Sequence, residues 1–105
     1  MHIQIVNFHL KGLSDEAYRK LCDQVAPAFA EVPGLIAKVF LARPATNTYG
    51  GVYTWRDREA MMAFAGTELF AAVVSNPNLS EISSMDFAVL QAPSRVTRGL
   101  VAVAA

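Results

Sequence analysis

The sequence has little charge, one cysteine and no long apolar run, and each shortage argues against a class of protein. Nine basic residues balance nine acidic ones, so the chain lacks the positive field that gathers nucleic acid or an anionic membrane surface. Its lone Cys22 excludes an internal disulfide, and one cysteine with two histidines gives no zinc-binding pattern. The apolar runs are far shorter than the roughly 20 residues that span a bilayer. We therefore expect no nucleic-acid partner, no metal and no membrane segment.

The same features favour one small domain in a reducing compartment. A chain of 105 residues can bury a core of its own, which predicts a single domain over 1–105. A strand pattern begins at residue 2 or 3, so we expect no signal peptide, and a lone cysteine suits the cytoplasm. With 53% hydrophobic and 17% charged residues, the chain is more apolar than an average domain. We expect something beyond the monomer core to cover that surface.

Hydrophobic periodicity predicts the element order β-α-β-β-α-β. The predicted elements are strands at 2–10, 35–43, 52–55 and 80–92, a helix from a Ser14 cap to about Val32, and a helix over 57–75 capped by Asp57. Pro27 lies inside the first helix and is expected to kink or divide it. The tail from Ser94 onward is predicted to add an edge strand to a partner or to be disordered.

This order is that of a ferredoxin-like α+β fold, with a four-stranded antiparallel sheet and two helices on one face. The other face of such a sheet is bare, and the second and fourth predicted strands are apolar on both faces. We therefore expect a homodimer that closes through the sheet faces.

The first strand places two polar side chains together. In a strand, side chains alternate between faces, so Asn7 and His9 share a face with Ile3 and Ile5. His9 is a candidate general base because its ordinary pKa lies near neutrality. Trp55, at the junction of the third strand and the second helix, carries an N–H that can donate to a substrate oxygen or can simply be satisfied in a core.

Several segments of the chain resemble one family. They are Pro33 to Phe40, Gly50 to Tyr53, Asp57 to Ala60 and the tail from Arg95 to Gly99. Together they are similar to the core of the YdhR-type mono-oxygenases, which are part of the dimeric α/β-barrel superfamily of antibiotic biosynthesis monooxygenases. The resemblance implies the dimeric α/β-barrel fold. That superfamily also contains haem degraders, isomerases, decarboxylases and cyclases, so fold alone does not fix the reaction.

The resemblance implies a monooxygenase that needs no cofactor. In that chemistry a phenol or hydroquinone is deprotonated in an apolar pocket, and its anion passes an electron to dioxygen. The better-known relatives line this pocket with an asparagine on the first strand and a tryptophan after the third, and Asn7 and Trp55 occupy similar positions. The haem-degrading relatives carry an iron-ligating histidine on the second helix, whereas residues 57–75 contain none. The resemblance therefore disfavours haem degradation.

The leading hypothesis is a homodimeric oxygenase of aromatic or polyketide-like small molecules, with His9 as base and Asn7 and Trp55 as oxyanion donors. The substrate-binding candidates are Lys38, Phe40, Tyr53, Met61, Phe64 and Arg95. Lys38 is expected to reach the rim or pair with an acid, and the aromatic and methionine residues also suit a core or a dimer seam. Two alternatives stay open: an oxygen-independent cyclase, isomerase or decarboxylase, and a non-catalytic binder of an apolar small molecule.

Overall fold

A computed structural model describes residues 1–100 of the chain. Four strands form one sheet in the order β2-β3-β1-β4, and every neighbouring pair is antiparallel. The strands and helices are β1 (His2–Leu10), α1 (Asp15–Ala30), β2 (Leu35–Arg43), β3 (Thr48–Trp55), α2 (Arg58–Phe64), α3 (Glu68–Ser75), β4 (Leu79–Ala88) and α4 (Gln91–Val96), with one 3-10 turn at Pro44–Thr46. The predicted ferredoxin-like fold is confirmed.

The two faces of the sheet differ in what covers them. On β1 the side chains of His2, Gln4, Phe8 and Leu10 are buried and face the helices with Val6, whereas the alternate residues Ile3, Ile5, Asn7 and His9 are half-buried on the other face. We call the first the helix face and the second the open face. Phe8 shows the assignment directly, since its ring packs against Tyr18 of α1 at 5.8 Å between centroids. Successive side chains of a strand point to opposite faces, so register fixes the face of every other strand residue.

The middle of the open face is apolar across all four strands. One row, in register from β2 through β4, consists of Val39, Val52, Ile5 and Met85. The next row carries Ile3 and Phe87, and large parts of Met85, Val39 and Phe87 are exposed. Pro93 and Ser94 of α4 line a cavity with Ile3 and Thr54 at one end of this surface. Such an apolar second face is the feature from which the sequence predicted a dimer.

The first predicted helix is confirmed, and the second is corrected. Oγ of Ser14 accepts from the Ala17 N–H at 3.1 Å and caps α1, which continues through Pro27 without dividing. The single helix predicted over 57–75 is wrong. Asp57 caps α2, which ends at Phe64, and Oγ1 of Thr67 caps a separate α3 by accepting from the Phe70 N–H at 3.2 Å. A second N-cap lets the chain turn without leaving amides unpaired.

The end of the chain also departs from the prediction. β4 ends at Ala88, earlier than the predicted Ala92, and residues 91–96 form α4 rather than an edge strand. Pro93 lies in the first turn of α4, where its missing N–H removes no helical hydrogen bond. The last residues of the predicted tail, 101–105, lie outside the described residues. None of the helices within 1–100 combines the length and the apolar character that crossing a membrane requires.

Gly34 and Gly50 occupy positions that a side chain would disturb. Gly34 has a φ of +80°, and a Cβ there would lie 2.4 Å from Cβ of Ala60 at the start of α2. Gly50 has a φ of +156°, and its Cβ would collide with the Val6 carbonyl on β1. The glycines therefore allow α2 to approach the β2 end and β3 to approach β1 closely.

Candidate functional site between the sheet and the helices

Two adjoining cavities lie between the helix face of the sheet and the helices. The smaller, of about 160 Å³, is enclosed by α1, α3 and the β2 side of the sheet. The larger, of about 250 Å³, lies under α2 and α3 over β1 and β4. Tyr53 and Val73 line both cavities. The structure thus provides two small apolar chambers with a shared wall, the usual form of a small-molecule site.

One polar residue from each strand lines the floor of these chambers. Register on the helix face places Lys38 opposite Tyr53, Tyr53 opposite Gln4, and Gln4 opposite Asp86, which gives a row across all four strands. Neighbouring strands lie about 4.8 Å apart, so the two charged ends of this row have Cα atoms roughly 14 Å apart. We call it the polar row.

Lys38 lies at the β2 end of the polar row with its ammonium over aromatic rings. Its Nζ is 3.3 Å from the ring centroid of Phe29, 4.1 Å from that of Phe40 and 4.7 Å from that of Tyr53. In the part of the chain that the structure describes, no carboxylate forms an ion pair with this nitrogen. Burial lowers the pKa of Lys38 to about 8, because a low-dielectric surrounding disfavours the charged form. The predicted acid partner is therefore wrong, and the predicted rim position stays a prediction.

The tyrosines of the cavity wall are held neutral. Burial raises the pKa of Tyr53 to about 12, because a low-dielectric surrounding disfavours the charged phenolate. Burial likewise raises the pKa of Tyr18, and the neighbouring Cys22 adds to that shift. Both hydroxyls therefore act as hydrogen-bonding groups near neutral pH, and neither supplies an anion to Lys38.

At the β4 end of the polar row, a carboxylate faces the larger cavity. Asp86 lines that cavity together with Gln4 and Ser84, and the rest of its wall is apolar apart from the Tyr53 hydroxyl. Nε2 of the buried His2 lies 2.6 Å from Oδ2 of Asp86, and Nε of Arg58 lies 3.9 Å from the same oxygen. Two basic neighbours thus fix the orientation of a carboxylate that can accept a proton from a bound molecule.

Trp55 is a core residue. Its side chain is 0% exposed, it stacks on Tyr53 at 5.9 Å, and it does not line either cavity. Its Nε1–H donates to Oε1 of Gln4 at 3.0 Å, and Nε2 of Gln4 donates in turn to Oγ of Ser84 at 3.1 Å. Because the indole N–H already has an acceptor, the predicted oxyanion-donor role of Trp55 is wrong.

Asn7 and His9 lie on the open face, away from both cavities. The Asn7 amide is directed to the Tyr49 carbonyl at 3.5 Å. His9 lies between two partners, with Nδ1 2.7 Å from the Asn47 carbonyl and Nε2 3.1 Å from Oε2 of Glu81. The two side chains share a face, as predicted, but the sheet separates them from the cavities and from Trp55. The prediction that the three residues line one pocket is wrong.

The structure brings most of the predicted substrate-binding residues together. Lys38 and Phe40 line the smaller cavity, Met61 and Phe64 the larger, and Tyr53 both. Arg95 is an exposed residue of α4 and lines neither cavity.

The sequence reasoning missed Gln4, Asp86 and His2. The sequence offered little signal for them, because each has a polar residue two positions away on the same strand face: Gln4 for His2, His2 for Gln4 and Ser84 for Asp86.

Among the described residues, neither cavity contains a histidine or a cluster of metal-ligating side chains. Among residues 1–100, no three histidine, cysteine, aspartate or glutamate side chains come together to hold a metal ion. Of the two histidines, His2 is turned to Asp86 and His9 lies across the sheet, and neither lines a cavity. The side chains present in the cavities therefore suit an organic molecule.

A ferredoxin-like sheet covered by helices defines an α+β protein, and this one has apolar cavities of small-molecule size between the two layers. The family model described as "Putative mono-oxygenase ydhR" matches residues 3–100. The chain therefore belongs to the ydhR mono-oxygenase family, and the predicted family is confirmed.

Solved structures show the same fold at low sequence identity. The heme-degrader MhuD from Mycobacterium tuberculosis, solved with two hemes in its active site, matches with a TM-score of 0.69 and 22% identity over 86% of this chain and 96% of that one. SnoaB, a cofactor-independent oxygenase from Streptomyces nogalater, matches with a TM-score of 0.66 and 20% identity over 86% and 94% of the two chains.

NE2512 from Nitrosomonas europaea, a protein of unknown function, matches with a TM-score of 0.73 and 18% identity over 87% and 90%. No curated protein matches the chain. At these identities the structural likeness establishes the fold, and the reaction has to be argued from the cavities.

Proposed function

We propose that the protein is a cofactor-independent monooxygenase of a phenolic aromatic molecule, which reacts in the larger cavity beside Asp86. The observation that carries the proposal is the Asp86 carboxylate on the wall of an otherwise apolar chamber, in a chain of a mono-oxygenase family. Membership of the family supports the reaction class, and the likeness to a cofactor-independent oxygenase is consistent with chemistry that needs no bound group.

The reaction balances with dioxygen as the one co-reactant. The phenol gives its O–H proton to Asp86, and the phenolate passes one electron to dioxygen. The resulting superoxide combines with the phenoxyl radical at the para carbon, takes a proton and forms a hydroperoxide. Loss of water from that carbon, with its hydrogen, leaves a para-quinone. One oxygen atom thus becomes the new carbonyl, and the other leaves as water.

The described residues have defined parts in this scheme. Asp86 accepts the proton, and its 2.6 Å contact with His2 holds the carboxylate in place. Met61, Phe64 and Phe70 line the cavity and supply apolar contacts to the ring, and Asp86, whose side chain is 36% exposed, lies at the edge of the cavity. Gln4 is tied to Trp55 and Ser84, so it fixes the floor of the cavity rather than binding the reacting oxygen.

The same proposal includes a homodimer closed through the open faces of two sheets. The exposed Val39, Met85 and Phe87 support it, because a monomer with this surface would leave a contiguous apolar patch in water. The cavities lie on the other side of the sheet, so each subunit keeps its own site. The cytoplasm stays the predicted compartment, consistent with Cys22 as a free, half-buried thiol.

The test measures oxygen uptake with 1-naphthol as the probe. We expect the wild-type protein to consume one dioxygen for each 1,4-naphthoquinone formed and to stop under argon. Asp86→Asn keeps the shape of the side chain but removes the base, so turnover should fall about 100-fold or more. Glu81→Gln is the matched control on β4, because Glu81 contacts His9 on the open face and should leave turnover unchanged.

The outcomes separate this reaction from its alternatives. Equal product formation under argon would show that the protein is a cyclase, isomerase or decarboxylase and not an oxygenase. Binding of naphthol without any product in the mass spectrum would leave a non-catalytic binder. Full activity of a folded Asp86→Asn variant would refute the role of Asp86.

A further inference from the structure

The smaller cavity contains a cation that the proposed reaction does not use. Lys38 projects from β2 at the end of the polar row opposite Asp86, and its ammonium faces a chamber walled by α1 and α3. Lys38 is half-buried, and an ammonium among apolar groups is costly, so proteins ordinarily pair it with a carboxylate. This arrangement calls for an explanation, because an apolar side chain in place of Lys38 would fill the same wall without that cost.

The surroundings of Lys38 satisfy its charge only in part. The faces of Phe29, Phe40 and Tyr53 attract the cation, and the shortest distance, 3.3 Å to the Phe29 centroid, is within the range of a strong cation–π contact. An ammonium also carries three N–H donors, and a ring face does not replace an oxygen acceptor for all of them. Within residues 1–100, no aspartate or glutamate lines this cavity. An anion that enters it would complete the shell of the nitrogen.

The size and lining of the cavity limit what that anion can be. A cavity of about 160 Å³ is close to the roughly 150 Å³ of an apolar cavity that takes up benzene. Leu21, Val25, Leu69 and Val73 supply an apolar wall opposite the rings. The chamber therefore fits one aromatic ring with one small charged group, and it is too small for a second fused ring.

We propose that the smaller cavity binds a single-ring aromatic anion, an arene carboxylate or a phenolate, with its charged group on Nζ of Lys38 and its ring against Phe29 and Phe40. As a statement about substrate, this rests on the proposed oxygenase: the anion is the anchoring end of a molecule whose phenol reaches past Tyr53 to Asp86. As a binding site it does not depend on turnover, so the two can fail separately.

The first experiment compares benzoate with benzamide by isothermal titration calorimetry at pH 7. The two probes have nearly the same shape and differ in charge. We expect wild-type protein to bind benzoate at least tenfold more tightly than benzamide, because a hydrogen bond to a charged group is worth more than a neutral one. Lys38→Met should abolish this preference while benzamide binds as before. Lys20→Met is the matched control, since Lys20 is exposed on α1 and pairs with Glu16.

The second experiment follows benzoate affinity with pH. Lys38 loses its proton near pH 8, so benzoate binding should weaken between pH 7 and pH 9.5, whereas benzamide binding should stay constant. The other titratable groups on this cavity are Tyr18, Tyr53 and Cys22. The pKa values of both tyrosines are raised, so the tyrosines stay neutral between pH 7 and pH 9.5. The variant Cys22→Ser tests whether the thiol contributes to the pH dependence of binding.

Three results would overturn the site. They are equal affinity for the two probes, benzoate affinity that survives in Lys38→Met, and no binding of either probe by folded wild-type protein. Thermal unfolding of Lys38→Met shows whether the variant is folded, and retained benzamide binding shows that its cavity is intact. If benzoate binds but no oxygen is taken up, the anion site is supported and the oxygenase proposal is refuted.

Discussion

The proposed dimer makes a sharp prediction for Met85, which lies in the middle of the open face. Met85→Asp places a carboxylate in the apolar row that also contains Ile5, Val52 and Val39. In a monomer this change puts a charged group on a surface that water already reaches, since 61% of Met85 is exposed. In a dimer it buries an unpaired charge. The variant should therefore fold normally and fail to associate.

The exposed areas set the size of the effect. Met85, Val39 and Phe87 are 61%, 56% and 48% exposed. Burying the exposed half of such side chains contributes about 1 kcal/mol each, or roughly 6 kcal/mol for three residues from two copies. A buried, uncompensated carboxylate costs about 3 kcal/mol, and a two-fold interface contains the change twice. The dissociation constant should rise by about four decades, since every 1.4 kcal/mol is tenfold.

Sedimentation equilibrium measures the mass of each variant. Protein concentrations from 1 to 100 μM cover a dimer of roughly micromolar affinity. We expect wild-type protein to sediment as a dimer and Met85→Asp as a monomer. Met62→Asp is the matched control, because Met62 is similarly exposed, at 53%, but lies on α2 on the other side of the sheet. A wild-type monomer at 100 μM, or a Met85→Asp protein that remains dimeric, would refute the reasoning.

Two further predictions concern stability. Trp55→Phe leaves Oε1 of Gln4 without its donor and the core less filled, so the free energy of unfolding in urea should fall by about 2–3 kcal/mol. Adding Gln4→Leu should recover part of that loss, because the unpaired oxygen is removed. If stability does not recover, the hydrogen bond does not have this role. The pKa of Asp15 is lowered by Arg19 and Tyr49, and that of Asp57 by the Ala60 N–H. The stability that these two carboxylates contribute is fully present above their unfolded pKa values and is lost as the pH falls through their lower folded values. The urea concentration at the unfolding midpoint should therefore decrease as the pH is lowered below about 4. The decrease should be less steep when both residues are replaced by Asn.

The strands could be predicted from sequence because their signals are local. β1 and β2 run over the predicted residues, since each is a β-branched and aromatic run ended by a turn former or proline. β3 begins earlier than predicted, at Thr48, because Gly50 and Gly51 pair within the sheet rather than before it. The break between α2 and α3 was missed although Thr67 is a good N-cap, since the apolar spacing continues across it.

The site was harder to predict because it depends on which face of a strand meets the helices. Alternation showed correctly that Asn7 and His9 share a face, but it could not say which face was roofed. Both faces of β1 carry polar residues, and the choice fell on the wrong one. The family resemblance led to the same choice. The buried Gln4 and Trp55 are joined by a hydrogen bond across two strands, and such a pair appears only once the register is known.

The polar row keeps the proposed anion-binding group, Lys38, apart from the proposed base, Asp86. Lys38 and Asp86 are opposite charges, yet they form no ion pair, because three strand spacings and the Tyr53 and Gln4 side chains lie between them. Lys38 therefore stays available to a bound anion, which an ammonium paired with Asp86 could not hold. His2 and Arg58 both contact Oδ2 of Asp86, so in the proposed reaction Oδ1 is the oxygen that accepts the proton. In that proposal the separation of Lys38 from Asp86 lets a single molecule meet a cation at one end and a base at the other.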